Sequence, residues 1–94
     1  MEDFLNIIEE YLQNNQSDIN KVELTKEQAV RTYSVRYPDM TELLQEYKND
    51  KMIVVFFIYN NEQFVIFTDE DYNYVTHRLV SDAVTVNNKE VYDE

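Results

Sequence analysis

Apolar residues along this chain of 94 residues change their period several times, and each change marks an element. Phe4, Leu5, Ile8, Tyr11 and Leu12 recur at helical spacing with Glu9 and Glu10 on the other side, which predicts an amphipathic helix over residues 3–13. Asn14 and Asn15 end it. Val22 and Leu24 then alternate with charges, as in a short edge strand or a connector. Thr25 followed by Gln28 has the form of a capping box, and Ala29, Val30, Tyr33 and Tyr37 would share a face of the helix it starts. The same stretch also alternates as Arg31, Tyr33, Val35, Tyr37, which suits a strand; the cap decides for a helix. Pro38 pushes Tyr37 out of the helical region and closes that element. Asp39 with Glu42 forms another capping box ahead of Met40, Leu43, Leu44 and Tyr47, predicting a third helix over residues 40–49.

In the second half the period shortens. Met52–Tyr59 and Gln63–Thr68 are β-branched and aromatic runs separated by Asn60-Asn61, a pair that tolerates the positive φ of a two-residue hairpin turn. In that register Phe57 faces Phe64 and Val55 faces Ile66 on one side, while Phe56 faces Val65 and Val54 faces Phe67 on the other. Both faces are apolar, so both need a cover. Thr68 with Asp71 suggests a further capping box, and Tyr72, Val75 and Leu79 suggest a helix over residues 69–80. Asn87-Asn88 repeats the turn between residues 83–86 and 89–92, with Val84 opposite Val91. The expected fold is one α+β domain over residues 1–94: an antiparallel sheet of two Asn-Asn hairpins with three to four helices.

Composition removes most chemistry. The chain has no cysteine, which leaves no disulfide, thiolate metal site or cysteine nucleophile, and no glycine for a phosphate-cradling loop or a nucleophile elbow. His77 is the lone histidine and reads as a polar residue on the surface of a helix. Asp69, Asp71 and Asn73 imitate the start of a calcium loop, but Tyr74 stands where glycine is required and Val80 where the bidentate acid is required. The acids at 69–71 are better explained as a helix first turn. No metal, no cofactor and no catalytic constellation is expected, and the protein is read as a non-enzyme. Met1 leads directly into Glu2 and Asp3 with no secretory leader, and the longest apolar run is too short to span a bilayer, so a cytoplasmic protein without a membrane role is expected.

Charge supplies the positive argument. Nineteen acids against eight Lys and Arg give a formal net charge of -11, which repels nucleic acid and makes direct binding to it unexpected. Residues 1–20 carry five acids and no base, residues 21–51 six of each, and residues 52–94 eight acids against two bases. The two ends are therefore expected to supply the field. The candidate partner-binding residues are Glu2, Asp3, Glu9, Glu10, Asp69, Glu70, Asp71, Glu90, Asp93 and Glu94. A homodimer is expected through the second apolar sheet face, with Val54, Phe56, Ile58, Val65 and Phe67 at the interface.

In size and composition the chain resembles the small acidic DNA-mimic proteins that phages use against restriction, CRISPR or nucleoid-binding proteins. The resemblance is carried by the acidic segments Glu2–Glu10, Asp69–Asp71 and Glu90–Glu94, by abundant tyrosine and asparagine, and by the lack of cysteine. It implies an inhibitor whose carboxylates occupy the phosphate-binding positions of a basic nucleic-acid-binding protein or nuclease, in the host cytoplasm for a phage protein. Two other functions fit the same charge: an immunity or antitoxin-type inhibitor that fills one basic active site with a few hot-spot residues, and an acidic structural interaction protein.

Overall fold

Thr25 ends a strand and starts a helix at once. Its hydroxyl accepts the backbone N–H of Gln28 at 3.1 Å while the Gln28 side chain accepts the Thr25 N–H at 3.0 Å, the reciprocal box expected from the sequence. The computed structural model describes residues 2–14 and 19–83. They form α1 (Glu2–Asn14), β1 (Lys21–Thr25), α2 (Lys26–Arg36), a 3-10 turn at Pro38–Met40, α3 (Thr41–Glu46), β2 (Lys51–Tyr59), β3 (Glu62–Thr68), β4 (Tyr74–Leu79) and a 3-10 turn at Val80–Asp82. The protein is α+β, and its described residues form a four-stranded antiparallel sheet in the order β1-β2-β3-β4 with three α-helices.

The two apolar faces of the central hairpin are both covered from within the chain. On one, α2 and α3 bury Ala29, Tyr37, Met40 and Leu44 against Met52, Val54, Val65 and Phe67. On the other, Ile8 and Leu12 of α1 pack with Ile19 against Ile53, Val55 and Ile66. The amphipathic stripe of α1 covers this face, and α2 and α3 cover the face that was expected to meet a second copy. This corrects the expected dimer face: Val54, Val65 and Phe67 are core residues under α2 and α3, and a second copy cannot reach them. Phe56 and Ile58 lie beyond that cover, 40% and 68% exposed.

The hairpin has the expected register, Phe57 opposite Phe64, Val55 opposite Ile66 and Val54 opposite Phe67. Asn60 and Asn61 have φ of 53° and 65°, the left-handed region that this turn requires. The helix expected over residues 69–80 is instead a loop followed by β4. Thr68 does not cap: its hydroxyl is buried and donates to the carbonyls of Ile53 and Asp69. Asp69 caps a tight turn, its Oδ1 accepting the backbone N–H of both Asp71 and Asn73 at 2.9 Å. With Tyr72 at φ 67° the chain reverses, and Tyr74, Val75 and Thr76 continue as a strand along β3.

The third helix is also shorter than expected. Asp39 sits in the 3-10 turn and makes no cap; α3 begins at Thr41 and stops at Glu46, where Tyr47 turns extended at ψ 133°. Lys26 Nζ donates to the carbonyls of Gln45 and Tyr47, at 3.0 and 2.6 Å, and so holds this end. The second Asn-Asn hairpin, at residues 83–92, lies outside the described residues apart from Ala83.

Candidate partner-binding surface

α3 packs on α2 and faces β4 through Val75 and Arg78, while its end meets Lys26 at the start of α2. Near β1, Lys21, Lys26, Arg31 and Lys51 are mixed with Glu23, Glu27 and Asp50. This side is close to neutral, and Arg31 pairs with Glu27 at 3.2 Å. Near β4, Asp39, Glu42 and Glu46 line a groove with Tyr47 and Val75. Tyr47 also connects this group to the β3–β4 loop. Its phenol pKa is raised, first by burial and further by the negative charges of Asp69 and Glu70.

Three cations approach these acids among the described residues, the first being Lys26, whose Nζ holds the end of α3 through the Gln45 and Tyr47 carbonyls. Arg78 of β4 meets Asp39 Oδ2 at 3.0 Å through an outer guanidinium nitrogen. Lys21 reaches the loop from the other side, its ammonium 5.8 Å from the centre of the Tyr72 ring. Lys48 is exposed beside Tyr47, and among the described residues it makes no ion pair.

The expected site residues therefore separate. Glu70 and Asp71 are exposed at the loop, while Asp69 is partly buried and engaged in its own turn. Burial pushes the Asp69 pKa up, but hydrogen bonds from the Asn73 backbone, the Asn73 side chain and the Asp71 backbone outweigh it and hold the carboxyl below its ordinary value. Glu9 and Glu10 are exposed on α1, across the sheet from α3, and Glu2 and Asp3 belong to the first turn of the same helix. Glu90, Asp93 and Glu94 lie outside the described residues. Asp39, Glu42 and Glu46 were missed because residues 21–51 balance in charge when counted along the chain. Their capping-box spacing was the signal available, and it pointed to helix structure rather than to a surface.

His77 is not on a helix. It lies in β4 with Nδ1 2.6 Å from the Tyr74 hydroxyl, and its ring meets Phe4 and Phe64 edge-on. Its pKa is lowered, first by burial and then by the positive charge of Arg78. This is a packing position joining α1 to the sheet. Among the described residues no group of three or more His, Cys, Asp or Glu is placed to hold a metal ion, and no helix is long and apolar enough to cross a membrane. No protein-family model, no curated protein and no solved structure matches the chain.

Proposed function

We propose that the protein is an acidic inhibitor that presents the carboxylates of its β4 edge and β3–β4 loop to the nucleic-acid-binding surface of a basic protein or nuclease. The observation that carries this is a run of exposed carboxylates: Asp39, Glu42 and Glu46 line one groove, Tyr47 in that groove lies in the field of Asp69 and Glu70, and among Asp39, Glu42, Glu46 and Glu70 the one with an ion-pair partner in the described residues is Asp39. Exposed carboxylates at this density attract a basic surface over a Debye length and speed encounter. They repel duplex DNA by the same field.

The test is displacement. Fluorescent duplex bound to purified basic nucleic-acid-binding proteins and nucleases is titrated with this protein, at low and at physiological salt. Release of duplex from at least one of them, weakening as salt rises, with no gel shift of duplex by the protein alone, is the expected result. A stable direct complex with duplex would reverse the assignment.

A second reading, a focused inhibitor with apolar anchors, is favoured by one observation: Phe56 and Ile58 stand exposed at the far end of the sheet. There, binding would survive high salt and fail on truncation of those two residues.

A further inference from the structure

We infer that Arg78 and Tyr37 guard the free edge of the sheet: they occupy the backbone carbonyls of β4 that a second copy of this chain would need in order to add its own β4 alongside. β4 ends the strand order, and among the described residues no strand pairs with its outer side. The ladder fixes which groups face out. Phe56 gives its N–H to Asn20 on the β1 side, so Val55 and Phe57 bond to β3, and Val65 and Phe67 bond to Arg78 and Thr76 of β4. His77 and Leu79, alternating with these, turn their N–H and carbonyl groups outward. A row of that kind is a template for another strand.

Both outward carbonyls are already taken. Arg78 donates through one terminal nitrogen to the His77 carbonyl at 2.6 Å and to Thr76 Oγ1 at 2.7 Å, and through the other to Asp39 Oδ2 at 3.0 Å. The Tyr37 hydroxyl, from just beyond α2, donates to the Leu79 carbonyl at 3.1 Å. The position of Arg78 is costly as packing alone. It stands opposite Val65 of the core and so points its charge into the helix-covered face, where its Nε is buried without a hydrogen-bond partner. A charge turned inward on an edge strand is tolerated while that strand remains an edge, and opposes its burial inside a longer sheet. The bulge opposite Phe67 and Thr68 bends the same strand. At the other edge, β1 carries Lys21 and Glu23 as exposed charges. β4 carries no acid, and Tyr74, Val75 and Thr76 favour strand pairing, so its protection falls to Arg78 and Tyr37.

The experiment compares wild type, Arg78→Met, Tyr37→Phe and Asp39→Asn by sedimentation over a wide concentration range, with amide hydrogen exchange read at His77 and Leu79. In wild type both amides should be open to exchange. Arg78→Met keeps the stem and removes the guanidinium; it should shift from monomer to dimer or larger species, with both amides becoming protected. Tyr37→Phe keeps the ring in the core and uncovers the Leu79 carbonyl alone. It should associate more weakly, and it carries the test if Arg78→Met does not fold. Asp39→Asn removes the ion pair but leaves Arg78 on the His77 carbonyl, and should behave as wild type. Protected His77 and Leu79 amides in wild type would overturn the inference, as would folded Arg78→Met and Tyr37→Phe proteins that leave them open at every concentration. Association of Asp39→Asn as strong as that of Arg78→Met would assign the effect to the ion pair and overturn it as well.

Discussion

Asp69 shows how one side chain can redirect a segment. In the sequence it reads as an acid in a helix first turn. In the fold it replaces the helix, because two backbone N–H groups and the Asn73 amide converge on its carboxylate within 3.1 Å. Helix and turn offer the same carboxylate the same kind of donor, so the local sequence does not distinguish them. The consequence for stability has a definite sign. The folded-state pKa of Asp69 lies below its unfolded value, so its contribution is present above the ordinary carboxylate range and is lost as pH falls through the lower folded value. Asp69→Ala should cost about 1 kcal/mol at neutral pH, the scale of a lost cap. Urea unfolding of both proteins checks this, and the gap between them should shrink as pH drops from about 5 to about 2. A gap that stays constant over that range would mean the ionised carboxylate is not what holds the turn.

Among the elements, those with a clean period were legible and the one without was not. Phe4, Ile8, Tyr11 and Leu12 define a single stripe on α1, and the Asn60-Asn61 turn fixed the β2–β3 register residue by residue. β4 lies at the sheet edge and every residue in it is partly exposed, so it shows no alternation, while Tyr72, Val75 and Leu79 happen to fall at helical spacing. Both faces were recognised as needing a cover, but the face of Val54, Val65 and Phe67, assigned to another copy, is covered by α2 and α3, and the α1 stripe covers the opposite face of Ile53, Val55 and Ile66. This gives a direct test of the packing. Leu12 is fully buried against that face, so Leu12→Ala should cost about 2–5 kcal/mol in denaturant unfolding. A loss within about 0.5 kcal/mol, the range of a surface change, would show that α1 does not cover the sheet.

For the whole molecule, what the sequence conceals is which acids the topology brings together. Counting along the chain assigns the negative field to its two ends, and only the topology brings Asp39, Glu42 and Glu46 into one groove whose Tyr47 lies in the field of Asp69 and Glu70, with Lys26 at the end of α3. The dimensions also limit how literal any imitation of DNA is. Even with every charge of the chain counted, -11 along a longest dimension of 43 Å is one net charge per roughly 4 Å, against about 1.7 Å on the duplex. The imitation proposed here is therefore of a patch of phosphates rather than of a continuous helix, and the β4 edge is that patch. The most direct measurement is capture from nuclease-treated native lysate on three immobilised forms: wild type, a β4-edge variant (Glu42→Gln, Glu46→Gln, Glu70→Gln, Asp71→Asn) and an α1 variant (Glu9→Gln, Glu10→Gln). A basic nucleic-acid-binding protein is expected to be retained by the wild type and the α1 variant, released as salt rises, and absent from the β4-edge variant. Equal retention of the same protein by the β4-edge variant, undiminished at high salt, would contradict it.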